Sequence, residues 1–193
     1  MNFSVQTCFK IDIIKYSIQD WQNKKSLLMN IVDEIDTFVF DGCQTDYWFN
    51  ANNGGTSYFN KWFSILEKDF LEIESQINSN HVKDFPVKFA PPHSWKLWTQ
   101  RYKNGDSHPV HNHGIGFLSA VIYIEFDPSQ HQTTTFCSPY PNSFYGNLDY
   151  YIPEDVCEGD IILFPSLLNH FVVPQKSDLT RTIMSFNIPV LRY

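Results

Sequence analysis

Three histidines fall within the stretch HPVHNHGIGFLSAVIYI, residues 108–124: His108, His111 and His113. A neutral imidazole is the commonest protein metal ligand, and two of them at i and i+2 on an extended segment point to the same side. His111 and His113 meet that condition. His108 is one position out of phase with His111, and Pro109 favours a turn beside it, so it is expected outside the ligand set. A pair of histidines needs a third ligand from another strand to make a metal site. EGDIILFPSLLNHFVV, residues 158–173, offers His170, where an apolar strand ends and the chain reverses.

Arg181 opens the next strand, RTIMSFNI. An arginine at the start of an apolar, inward-facing strand is costly unless its guanidinium is paired, and its planar fork suits a carboxylate. It reads as the receptor for a carboxylate ligand, as half of an internal salt bridge, or as an exposed strand end. Tyr102, in RYKNGDSHPVH, and Tyr123, in AVIYI, lie on strands entering and leaving the histidine cluster. They are packed core tyrosines unless both turn toward one pocket.

These residues need elements to hold them together. After Pro91 and Pro92 the chain breaks into short β-rich runs separated by turn residues: WKLWTQRY, FLSAVIYIEF, TTTF, LDYYI, DIILFP, HFVV and RTIMSFNI. That texture predicts a jelly-roll sandwich, a mainly β (α+β) fold. The first half carries helix signals instead. TCFKIDIIKYS alternates like a strand, and SIQDWQNKKSLLMNIVDEIDTF follows with Ser17 as N-cap and Trp21, Leu28, Ile31 and Ile35 near helical spacing. Residues 41–56 read as a Gly-, Asn- and Thr-rich loop. From Ser57, Phe59, Trp62, Phe63, Leu66, Phe70, Ile73 and Ile77 share a face, the pattern of a helix buttressing a sheet. One domain is expected over 1–193, with an N-terminal strand and supporting helices in 1–90 and a jelly-roll core in 91–193.

Composition narrows the function. Hydrophobic residues are 42% and aromatics 17%, enough to bury a core without external staples. The net charge of −7 argues against a binder of nucleic-acid backbones, which needs a basic stripe. Cys8, Cys43, Cys137 and Cys157 form no CxxC pair, which fits a reducing cytoplasm rather than a disulfide framework. The N-terminal residues lack the basic region of a signal peptide, and no apolar run approaches a membrane span. A soluble, cytoplasmic protein with no membrane partner is expected.

The order Tyr102, His111-Asn112-His113, the strand with Tyr123, then EGDIILFPSLLNH and RTIMSFN resembles the Fe(II)- and 2-oxoglutarate-dependent dioxygenases of the prolyl-hydroxylase-like class, most closely the small bacterial and phage-type oxygenases. The likeness covers about half the chain, roughly residues 95–190. It implies a double-stranded β-helix and the use of Fe(II), 2-oxoglutarate and O2. It makes His111 and His170 metal ligands, Arg181 the clamp on the distal carboxylate of 2-oxoglutarate, and Tyr102 and Tyr123 hydrogen-bonding partners of that cosubstrate. One position departs from the superfamily: His113 stands where an Asp or Glu is usual. It is then the third ligand of a three-histidine centre, or it yields to an acid from elsewhere, with Asp106 and Asp160 nearest in sequence, or the site is degenerate.

The implied reaction is hydroxylation of a peptide or small-molecule substrate with release of succinate and CO2; assembly as a homodimer is left open. Two other functions compete. A cupin-type metal enzyme would need Glu after three or four intervening residues beyond the HxH pair, where this chain has Phe117 and Leu118. A non-catalytic binding module would use Trp95, Trp98 and Tyr140 to line a groove. SPYPNSFYGNLDYY, residues 138–151, reads as either a lid or a packed loop.

Overall fold

The computed structural model describes residues 11–47, 56–80 and 88–191. Its elements run β1 (Ile14–Ser17), α1 (Trp21–Asp33), β2 (Phe38–Phe40), β3 (Cys43–Thr45), α2 (Thr56–Ser79), β4 (Lys88–Phe89), a 3-10 turn (Pro92–Ser94), β5 (Lys96–Tyr102), β6 (His108–His111), β7 (Phe117–Glu125), β8 (Thr135–Pro141), β9 (Leu148–Tyr151), β10 (Asp160–Pro165), β11 (His170–Val172) and β12 (Arg181–Leu191). Pairing produces two antiparallel sheets. One follows the order β1-β10-β7-β12-β5-β3-β2, with β4 also on β12; the other is β6-β11-β8-β9. Together they form a double-stranded β-helix, the jelly roll expected from the short alternating runs.

Alternation sorts the large sheet into two faces. Leu118, Ala120, Ile122 and Ile124 of β7, Ile161 and Leu163 of β10, and Met184, Phe186 and Ile188 of β12 share one core with Leu28, Ile31 and Val32 of α1 and Trp62, Leu66, Phe70 and Ile73 of α2. Each such side chain contributes about 1.5–3 kcal/mol by leaving water. The alternate residues, Tyr102, Val121, Tyr123, Ile162, Phe164 and Ile183, face inward and join Phe136, Leu168 and Val172 from the smaller sheet and the loop before it. Any site between the sheets is therefore carried on a floor whose other side is clamped by helices. Asp69 of α2 reinforces the clamp: it is buried and accepts from Lys24 Nζ at 2.6 Å, Gln19 N at 3.0 Å and the Tyr16 hydroxyl at 3.3 Å.

Several expected boundaries move. Ser17 is not a helix cap; it ends β1, and its hydroxyl donates to Asp160 Oδ1 at 2.6 Å, so α1 begins later, after Asp20. Ile35 lies beyond the α1 C-cap, Glu34, yet still packs on the core. The stretch read as a loop from Asp41 contains β3, which pairs with β2 in a hairpin and with β5. Residues 138–151 are likewise not an irregular loop, since β8 and β9 pair across them. Trp95 is not groove-lining: its Nε1 donates to Ala90 O at 2.8 Å and its ring meets Phe70 edge-on at 4.9 Å inside the helix-facing core. Cys8, the start of the first predicted strand and the Phe59 side chain lie outside the described residues. Among the described residues no helix is long and apolar enough to cross a membrane.

Candidate active site

The smaller sheet brings the two histidine segments together. β6 and β11 pair with His111 opposite His170, although 59 positions of sequence separate them. Ring centroids lie 4.2 Å apart for His111 and His170, and 5.1 Å apart for His113 with each of them. One nitrogen from each ring falls within 4.8 Å of the others, a grouping that can hold a metal ion.

Hydrogen bonding settles which nitrogens face the shared point. His111 Nδ1 is 2.8 Å from Pro109 O and His170 Nδ1 is 2.9 Å from Leu168 O. A carbonyl only accepts, so each Nδ1 carries the proton and each Nε2 presents a lone pair. His113 Nε2 stands 3.2 Å from His170 Nε2. Two nitrogens bound side by side to a cation at ~2.1 Å are about 3 Å apart, so this spacing suits a common ion and no proton bridge is required. Burial keeps the rings neutral, the form a metal needs: it pushes His113 down to about 3 and holds His111 below and His170 well below the ordinary histidine value, with neighbouring imidazoles adding to the effect at His113 and His170.

His108 does not join the group, as expected, but for a different reason. It lies within strand β6, not in a turn, opposite Val172, and its Nδ1 is 4.0 Å from Cys43 Sγ. Burial and His111 push it down to about 4. Neither candidate acid reaches the histidines. Asp106 Oδ2 accepts from Lys103 N at 2.8 Å within its own turn, and Asp160 accepts from Ser17 and from Cys157 N at 2.8 Å. Among the described residues the converging group is made of His111, His113 and His170 alone.

The inner floor carries the second half of the site. Arg181 opens β12 opposite Tyr102 of β5 and is completely buried. Its guanidinium carbon sits 4.9 Å from the Tyr102 ring centroid and 5.4 Å from that of Tyr123. Among the described residues, Nε, Nη1 and Nη2 of Arg181 have no hydrogen-bond partner, nor has the Tyr102 hydroxyl. The internal salt bridge that would make Arg181 merely structural is absent among the described residues. A buried cation without a counter-ion costs several kcal/mol, a penalty that a bidentate carboxylate ligand offsets. Burial holds the Tyr102 phenol well above its ordinary value, so it stays protonated and able to donate. Tyr123 is less free: its hydroxyl donates to Thr134 Oγ1 at 3.2 Å and accepts from Thr134 N at 3.0 Å.

Sequence reasoning missed the polar floor between these two ends. Ser185 Oγ donates to Gln100 Oε1 and Ser119 Oγ to Asn187 Oδ1, both at 2.9 Å. The signal was present: positions 181, 183, 185 and 187 share a face of β12, and three of the four are polar. It also missed the rim. Beside the histidines opens a cavity of about 220 Å³, lined by Phe40, Asp41, Thr45 and Tyr47 together with Trp98, Gln100 and Asn112. The Asp41-Gly42 dipeptide between FVF and CQT is the hairpin signal that would have placed that wall.

Residues 96–187 match a family model described as "Putative 2OG-Fe(II) oxygenase". No curated protein matches the chain in sequence. Among solved structures it resembles a prolyl-4-hydroxylase from Pseudomonas putida, with TM-score 0.59 and 13% identity over 94% of each chain. It also resembles a viral collagen prolyl hydroxylase from Paramecium bursaria Chlorella virus-1 in complex with 2-oxoglutarate, with TM-score 0.55 and 14% identity over 93% of this chain and 96% of that one. A third is HygX from Streptomyces hygroscopicus with nickel, 2-oxoglutarate and hygromycin B bound, with TM-score 0.59 and 10% identity over 93% and 83%. At such identities the likeness is one of fold, and the family match is confined to residues 96–187, from β5 into β12. Residues 96–187, just under half of the chain, thus resemble the 2-oxoglutarate- and Fe(II)-dependent oxygenases in sequence, and the fold is one shared with prolyl hydroxylases. The family's cofactors are Fe(II), 2-oxoglutarate and O2, and the donor set and the unpaired Arg181 fit the first two. A cupin-type site has no support here, since Leu118 turns away into the helix-facing core.

Proposed function

We propose that the protein hydroxylates a C–H bond of a peptide or small-molecule substrate, with His111, His113 and His170 holding Fe(II) and Arg181 and Tyr102 holding the distal carboxylate of 2-oxoglutarate. The observation that carries this reading is the fully buried Arg181, whose three guanidinium nitrogens have no partner among the described residues, on the inner floor of the large sheet, with the histidine group on the smaller sheet. When bound, the iron with its cosubstrate supplies the oxidising chemistry: 2-oxoglutarate is split to succinate and CO2, and one oxygen atom passes to the substrate.

The chain's own residues orient and protect. Pro109 O and Leu168 O fix the tautomers of His111 and His170, so two ligands are set before any metal arrives. Arg181 and the Tyr102 hydroxyl offer a fork and a donor at the closed end of the floor, which fixes the depth of a dicarboxylate. Tyr123, tied to Thr134, stiffens that end and presents its ring to the guanidinium. Val121, Phe164 and Ile183 line the space between and exclude water.

Succinate formation that requires both 2-oxoglutarate and added Fe(II), lost in His170→Ala, tests the proposal. Absence of succinate, together with no heat of 2-oxoglutarate binding in anaerobic calorimetry, overturns it.

A further inference from the structure

The wall of the mouth is built, not incidental. The β2–β3 hairpin turns at Asp41 and Gly42, both left-handed at φ 48° and 83°, as a tight two-residue hairpin turn requires. Gly42 O accepts from Ser107 N at 3.0 Å, and a Cβ at position 42 would stand 2.7 Å from Ser107 O, so the hairpin tip lies backbone to backbone against the loop leading into β6. Below the tip, Thr45 Oγ1 donates to Thr99 O at 2.7 Å. Asp41 is thereby held at the rim of the cavity that contains His111 and His113.

The rest of that rim is aromatic. Phe40 and Tyr47 lie parallel within 5° at 6.3 Å, Tyr47 meets Trp98 edge-on at 5.2 Å, and Trp98 lies 5.3 Å from His113. Aromatic surface thus runs unbroken from the hairpin to the histidine group. Among the described residues no lysine or arginine lines the mouth, and Asp41 is the one lining residue there with a formal charge at neutral pH.

We propose that this mouth receives a cationic group, an ammonium or guanidinium on a short apolar stem, with Asp41 as its counter-ion and Phe40, Tyr47 and Trp98 as its aromatic wall. This rests on the oxygenase reading and names the substrate class that reading leaves open. Aromatic faces attract cations, and a carboxylate beside them adds to the attraction and repels anions. Fe(II) on three neutral imidazoles and the dianion of 2-oxoglutarate cancel in formal charge, which leaves Asp41 as the net charge that a group entering this mouth meets among the described lining residues. The volume, about 220 Å³, is below the usual range for a drug-sized ligand and suits a side-chain-sized group.

Anaerobic calorimetry on the full chain loaded with Fe(II) and 2-oxoglutarate tests this without turnover. The probes are pentylammonium and butylguanidinium, the neutral isostere pentanol and the anion pentanoate. The cations bind about tenfold more tightly than pentanol, and pentanoate binds least. Asp41→Asn keeps a residue that accepts the left-handed turn and brings the cation-to-pentanol ratio to about one, with pentanol itself little changed. Phe40→Leu weakens the cations more than pentanol. Equal binding of cation and alcohol, a preference for pentanoate, no saturable binding of either cation at millimolar concentration, or an undiminished preference in Asp41→Asn each overturns the inference. The heat of 2-oxoglutarate binding, recorded first on each sample, separates these failures from failure of the oxygenase reading.

Discussion

Tyr102 lies directly across the β5–β12 ladder from Arg181, its ring 4.9 Å from the guanidinium carbon and its hydroxyl, like the guanidinium, without a hydrogen-bond partner among the described residues. Such a pair is costly alone and favourable with a carboxylate between donor and fork, so ligand and stability are coupled. In Arg181→Met, 2-oxoglutarate no longer raises the melting temperature. The parent protein gains about 2.7 kcal/mol at a hundredfold excess over Kd. Without ligand the variant is as stable as the parent or more so, because an uncompensated charge has left the core. Thermal denaturation with and without 2-oxoglutarate checks both halves.

The three histidines are not equivalent in how they are held. His111 and His170 are each anchored through Nδ1 to a backbone carbonyl, whereas His113 meets Trp98 with its ring and His170 with its Nε2. His113→Ala therefore lowers metal affinity by roughly 100-fold or more, beyond the ~10–100-fold typical of losing a partner that only supports a ligand. His113→Asp keeps a ligand atom and adds a negative charge, and recovers most of that loss. Competition with a coloured chelator measures all three proteins, and equal affinity of parent and His113→Ala would exclude His113 from the metal.

Much of this site was legible before any coordinates. His111 and His113 share a side because a strand repeats every two residues, and Arg181 stood out because it is a charge opening a strand with many large apolar residues. What stayed hidden depended on distant partners. Whether Arg181 had a salt-bridge partner could be decided only once β5, β7 and β12 were seen to enclose it. The exclusion of Asp160 follows from its bond to Ser17, 143 positions away, and that same bond removes Ser17 from the helix it was expected to cap. Short strands escaped as well: β2 and β3 have three residues each, too few for alternation to register, so the wall bearing Asp41 read as loop.

That wall depends on a residue with no side chain. At position 42 a methyl group meets both a left-handed backbone and the Ser107 carbonyl at 2.7 Å. Gly42→Ala is expected to cost about 1–3 kcal/mol. Gly105, also left-handed but with nothing within 4 Å of an added Cβ, loses less when changed to Ala. Denaturant midpoints of the two variants check the difference, and a larger loss at Gly105 would count against the backbone contact as the cause.

Acid should unfold the metal-free protein earlier than its carboxylates alone require. His108 and His113 are pushed down to about 4 and about 3, and His111 and His170 are lowered too, all chiefly by burial. In the unfolded chain each takes a proton near pH ~6.5. Between that value and the folded ones the unfolded state holds more protons than the native state, so stability rises with pH across the window and falls as pH drops from about 6.5 toward 4. Above about 6.5 neither state binds protons at these rings, and their contribution to the slope vanishes. Bound metal opposes the loss, since protons compete for the same Nε2 atoms. Urea midpoints of the metal-free protein at pH 7, 6 and 5 are expected to fall stepwise. In His108→Phe, which removes one buried imidazole outside the converging group, the fall is shallower. A pH-independent midpoint over that range would mean the imidazoles are more hydrated than their burial indicates.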